Sequence, residues 1–188
     1  MGQYDTPIYT VEKAQNSFEI RAYPALLVAE VETTGKRDEA INSGFRALAD
    51  FIFGNNSVKK NVDMTTPVIQ QSTKIAMTAP VTQSSKDDTK NVWHTRFMMP
   101  HNYTLDTLPK PNNDKIRIFE TSPVRYATIR FSGFTTQNRI KDHEEKLVAW
   151  IKKNNLKSQG APVYAFYNPP FTLPFLRRNE IWIEIAAN

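Results

Sequence analysis

The chain repeats its own punctuation. Pro24 and Pro123, Ile41 and Ile140, Leu48 and Leu147, Ile52 and Ile151, and Asn55 and Asn154 are all separated by the same interval. Met77 and Tyr167 follow the same correspondence at a shorter interval, because the second half has a shorter loop after its helix. Each half reads as a strand pair, a helix and a second strand pair. A half of that kind leaves one sheet face and one helix stripe apolar, and both must be buried against something. The expected fold is therefore α+β: one mostly antiparallel sheet, curved or closed, built from two similar halves with both helices packed on it. The halves run approximately over 8–99 and 115–186, and 188 residues suit a single domain.

Taken in order, residues 8–13 and 17–22 read as short strands, and alternation from Ala25 to Glu32 as a longer one. Asp38 is the expected N-cap of a first helix carrying Ile41, Phe45, Leu48, Phe51 and Ile52, with Gly54-Asn55-Asn56 ending it. The apolar stretch Lys74 to Val81 ends at a proline corner and has an echo at Tyr164 to Phe171. The echo makes both segments scaffold, the paired strands of each half. Residues 83–91 are polar and read as a mobile hairpin tip. The strand Val92 to Met99 puts Trp93, Thr95, Phe97 and Met99 on one face and His94, Arg96 and Met98 on the other. After a long proline-bearing connection over 100–114, strands are expected at 116–119 and 124–131. A helix follows over Gln137 to Lys153, then strands at 163–167 and 180–186.

Several classes of chemistry find no support. Cysteine is absent, which removes disulfides, thiolate catalysis and cysteine-based metal or haem ligation. There is no nucleophile elbow, P-loop or dinucleotide fingerprint, so the chain does not read as an enzyme. The net charge of +5 is spread over scattered pairs, Lys36-Arg37, Lys59-Lys60, Lys152-Lys153 and Arg177-Arg178. Such pairs read as a solvated basic surface, and no nucleic acid partner is expected. No apolar run reaches the ~18 residues of a membrane span, so stable membrane insertion is not expected either. Met1 to Asp5 has neither a basic nor an apolar leader region, which makes the cytoplasm the default compartment.

The candidate ligand residues are few. His94 is expected on the wetter face of its strand, and His143 lies on the apolar stripe of the second helix as a partly buried, satisfied histidine. Both are weak candidates for an axial ligand. His101 follows Pro100 in a loop. No histidine pair has metal-ligand spacing. Met64, Met77, Met98 and Met99 read as core filler. Arg177, Arg178, Lys59 and Lys60 could pair with an anion, while the Arg-Arg-Asn-Glu run could equally hold a turn by ion pairs.

Four segments carry a family resemblance. Phe18-Glu19-Ile20-Arg21-Ala22-Tyr23-Pro24 is similar to the opening strand of the SOUL haem-binding protein family, and Lys74 to Val81 to its signature strand. Tyr167-Asn168-Pro169-Pro170 resembles its late loop, and Arg177-Arg178-Asn179-Glu180-Ile181-Trp182 its closing motif. The resemblance runs from Tyr9 to Ile185. It implies a distorted β-barrel of two pseudo-twofold-related βαββ-type halves with two long helices, and non-catalytic binding of haem or a related tetrapyrrole. It places the ligand against the first helix, at Ile41, Phe45, Leu48 and Ala49, and against the loop at Tyr167, Phe171 and Leu173, with Arg177 and Arg178 as propionate partners. Family members tend to carry basic residues and methionines on that helix, where this chain has Asn42, Phe45, Ala49 and Asp50. The alternatives are a binding module for another hydrophobic or amphipathic ligand, or a protein-interaction domain docking through the Pro169 to Phe175 loop.

Overall fold

The architecture was obtained as a computed structural model. It describes residues 7–57, 74–75, 79–87, 91–168 and 171–186, with backbone only for 86 and 87. Lys59, Lys60, Met64, Met77 and the Pro169-Pro170 pair lie outside the described residues, as does the middle of the Lys74 to Val81 stretch.

The chain is α+β. Its first half contains β1 (Thr10–Gln15), β2 (Phe18–Tyr23), β3 (Leu27–Thr34), α1 (Arg37–Ile52), β4 (Asn56–Ser57), β5 (Val81–Asp87) and β6 (Val92–Met98). Its second contains β7 (Lys110–Pro111), β8 (Ile116–Glu120), β9 (Val124–Phe131), α2 (Gln137–Lys153), β10 (Ser158–Phe166), a 3-10 turn at Pro174–Leu176 and β11 (Asn179–Ile185). Nine strands form one antiparallel sheet in the order β1-β2-β9-β11-β10-β5-β6-β3-β8, and β4 pairs with β7. The sheet is distorted but not closed into a barrel, with β1 and β8 as its edges. Without β1 the order reads alike from either end: β2 next to β9 answers β8 next to β3, and β5 pairs with β10 in the middle.

Strand alternation divides the sheet into two faces. On one, Ile20, Ala127, Ile129, Ile181, Ile183 and Ile185 meet Ile140, Leu147, Trp150 and Ile151 of α2. Farther along that face Ala29, Val31 and Phe97 meet Leu48, Phe51 and Ile52 of α1. Each large side chain so buried contributes roughly 1.5–3 kcal/mol, which is what holds two surface helices to one sheet. The close crossing of α1 over β6 is made by Gly44, which packs on Thr95. On the other face Tyr23, Val28, Met98, Ala165, Tyr167 and Trp182 pack together, with no helix over them among the described residues.

Two local expectations are corrected. The first helix starts two residues earlier, at Arg37, with Lys36 rather than Asp38 at the N-cap and no side-chain cap bond. Asp38 and Glu39 lie in its first turn, where the helix dipole favours acids. The expected hairpin tip at 83–91 is mostly strand: β5 pairs with β6 as far as Asp87 opposite Val92. Its polar residues suggested a loop, yet Thr82, Gln83 and Ser85 are buried in the centre of the sheet.

Candidate functional site

The first region of interest lies where α1 begins. Arg37 sits over three rings from the central strands: its guanidinium carbon is 5.0 Å from the centre of the Tyr164 ring and 6.0 Å from those of Trp93 and Phe166. Its Nε and Nη2, and the indole Nε1 of Trp93, are buried and meet no hydrogen-bond acceptor among the described residues. Asp38 is 3.8 Å from Nη1 but is itself 82% exposed. Burial holds the Arg37 guanidinium below its ordinary range, partly offset by Tyr164 and Asp38. A buried donor without a partner costs about 1–3 kcal/mol, so three together make an environment that an incoming carboxylate would relieve. Ile41 and Phe45 follow Arg37 at four-residue steps and share its side of the helix. Phe45 is 37% exposed and rests edge-on against Phe97, with ring centres 5.4 Å apart.

The opposite face is electrostatically different. Glu180 is fully buried and accepts from Arg21 Nη1 at 2.6 Å, Arg178 Nε at 2.8 Å, Tyr167 Oη at 2.9 Å and Trp182 Nε1 at 2.7 Å. Burial alone would raise the pKa of this carboxyl; the Arg21 bonds and charge, with Arg178, outweigh it and hold it low. Burial likewise opposes the Arg21 charge, and Glu180 reverses the balance. A second buried carboxylate, Glu30, accepts from Arg96 Nε at 2.6 Å and from Arg117. Burial raises the pKa of Glu30, and these two arginines more than reverse that. Between the two knots lies a cavity of about 410 Å³, walled by Tyr23, Phe119, Tyr126 and Trp182.

These two faces separate the residues the sequence had grouped. Ile41, Phe45 and Ala49 are at least partly accessible on α1, whereas Leu48 is wholly buried in the core beneath it. Tyr167 belongs to the helix-free face, bonded to Glu180 and covered by Arg178 at 3.9 Å. Phe171 and Leu173 are 88% and 55% exposed, in a loop anchored to the β9–α2 turn by the Gly133 N–H bond to Pro174 O. Arg177 lies over Phe134 in that turn and donates to Thr172 O. His94 is not on a wet surface. It is 6% exposed on the helix-free face, with Nδ1 3.3 Å from Glu30. His143 stacks on Phe131 at 4.1 Å, with Nδ1 against Arg139 O.

Arg37 and the cavity were missed from sequence. As half of a Lys-Arg pair Arg37 looks solvated, and the rings that bury it come from distant strands. The one available signal was the four-residue spacing to Ile41 and Phe45.

Comparison with known proteins gives the context. The family model described as SOUL heme-binding protein matches residues 4–73 and 69–184. Heme-binding protein 1 of Xenopus laevis is 28% identical over 174 residues, covering 91% of this chain and 85% of its own. Heme-binding protein 2 of Homo sapiens is 29% identical over 171 residues, covering 89% and 77%. Among solved structures, the C-terminal domain of EcmrR superposes with a TM-score of 0.64 at 11% identity, covering 96% of this chain and 99% of that one, a likeness of fold. With the motifs in order along a matching fold, the chain belongs to the SOUL heme-binding protein family.

Proposed function

We propose that the protein binds haem or a related tetrapyrrole without transforming it, on the helix-bearing side of the sheet. Arg37 takes a propionate, and Ile41, Phe45 and Ala49 of α1 offer apolar surface to the macrocycle. The observation that carries this reading is the Arg37 guanidinium, enclosed by Tyr164, Trp93 and Phe166, with two buried donor atoms, Nε and Nη2, that meet no acceptor among the described residues. From Arg37 to Phe45 is eight residues, about 12 Å of helix at 1.5 Å per residue, comparable with the span of a tetrapyrrole. Membership of the family and the names of the relatives support the ligand class.

Bound haem would supply its own iron chemistry; what this chain supplies is a cation, an apolar strip and exclusion of water. His94 faces the other side of the sheet, so the reading gives it no role as an axial ligand. The exposed Phe171 and Leu173 offer a further apolar surface, which a Phe171→Ala variant tests.

The deciding experiment is a hemin titration of the apo-protein followed at the Soret band. Saturable binding at one equivalent is expected. Arg37→Leu and Phe45→Ala are each expected to weaken it at least tenfold. Non-saturable binding, or affinity unchanged in both variants, rules the reading out.

A further inference from the structure

The helix-free face carries a second constellation that tetrapyrrole binding does not use. Tyr23, Tyr126 and Trp182 form a three-ring cluster with centres 5.3 to 5.8 Å apart, and Phe119 completes the wall. Val28 and Met98 line the same cavity. Its volume of about 410 Å³ falls in the range of small-ligand sites. The walls are held in place before any ligand arrives: Trp182 Nε1 donates to Glu180, which Arg21 and Arg178 fix from two further directions. A fixed aromatic wall loses little freedom on binding, which favours a flat partner.

The charges choose the sign of that partner. Arg96 lines the cavity, but its Nε is bound to Glu30 at 2.6 Å. Glu184 also lines it, is half-buried, and makes no hydrogen bond or ion pair among the described residues. Burial, and then the charge of Glu184, keep the Tyr126 phenol above its ordinary range against the smaller opposing charge of Arg96, so the ring stays neutral with its π-face intact. Glu120 stands at the exposed mouth. Two carboxylates, Glu184 and Glu120, thus line the cavity against one cation, Arg96, which Glu30 already engages. That excess of negative charge, set among electron-rich ring faces, attracts a cation and repels an anion. Haem propionates are therefore disfavoured here, and the cavity is separate from the Arg37 region on the opposite face.

We infer that this cavity is a second ligand site, for a flat aromatic monocation, with Glu184 as counter-ion and Tyr23, Tyr126 and Trp182 as its ring wall. It stands independently of tetrapyrrole binding, since none of its residues belongs to α1.

The test uses a matched pair of probes, N-methylphenanthridinium and its uncharged parent phenanthridine, titrated calorimetrically into the full chain. The cation should bind saturably and at least tenfold tighter than the parent. Glu184→Gln should bring the two within threefold of each other by weakening the cation alone. Arg37→Leu should change neither. Equal affinity of the two probes for the unaltered protein overturns the inference without any variant. It is also overturned if Glu184→Gln leaves the cation unaffected, if Arg37→Leu weakens the cation as much as Glu184→Gln does, or if no binding saturates.

Discussion

Glu180 is a buried charged residue and Arg37 a largely buried one, and their partners give them opposite consequences. Glu180 is met by Arg21, Arg178, Tyr167 and Trp182. Glu180→Gln would leave Arg21, 2% exposed, with only the part-exposed Glu19 as counter-charge, and breaking a buried pair this way costs up to about 3–5 kcal/mol. Equilibrium urea unfolding at pH 7 should show a loss of that size. The pKa values of Glu180 and Glu30 lie below the ordinary carboxylate value of 4.5. Their stabilisation is therefore complete above that pH and is lost as pH falls through the lower folded values. Urea midpoints followed downward from pH 5 should drop for the unaltered protein and drop less for Glu180→Gln. Among the described residues Arg37 makes no side-chain hydrogen bond and only a long contact with the exposed Asp38, so Arg37→Leu should leave the unfolding free energy unchanged or raise it by about 1 kcal/mol. The same substitution is expected to abolish the hemin contact, so stability and binding move apart.

At the scale of elements, the crossing of α1 over β6 is set by one missing methyl group. A Cβ on Gly44 would lie 2.8 Å from Cβ of Thr95, and closer still to its Oγ1. In an isolated helix Gly to Ala gains up to ~1 kcal/mol, but overpacking a core contact costs about 1–3 kcal/mol. Thr95 is wholly buried in the sheet and has nowhere to go. Gly44→Ala should therefore destabilise the protein, read as a lower thermal midpoint, despite the better helix former. Leu48→Ala, beneath the same helix, should cost about 2–5 kcal/mol. Helix α2 was legible in sequence because Ile140, Leu147, Trp150 and Ile151 mark one stripe, with His143 the one polar residue set on it. Strand β5 was not, because Thr82, Gln83 and Ser85 are polar and their burial depends on flanking strands that local pattern cannot report. The cavity was hidden for a related reason: its rings sit one to a strand on β2, β8, β9 and β11, and only the assembled sheet brings them together.

For the whole molecule, one sheet separates two unlike surfaces. The helix-bearing side presents a cation among rings whose ion-pair partner among the described residues is the exposed Asp38, and the bare side a carboxylate, Glu184, that has no ion pair among the described residues. Ligands on the two sides touch no common residue, and couplings between such sites are normally within about 0.5 kcal/mol. Hemin titrated in the presence of saturating N-methylphenanthridinium should bind with the affinity it has alone, and Arg37→Leu with Glu184→Gln should combine additively. A twofold change or less in either constant is the expected result.

The interleaved strand order also governs how the chain is assembled during synthesis. Strand β2 pairs with β9, and residues they bring together, such as Glu19 and Thr128, are 109 positions apart. At ~5–20 residues per second a ribosome needs roughly 5–20 s to deliver the partner. Strand β3 meanwhile has β6 but waits for β8. Until then the nascent first half exposes an unpaired strand edge and an apolar face, the surfaces on which chaperones act and aggregation begins. A fragment ending at residue 99 would be held permanently at that stage.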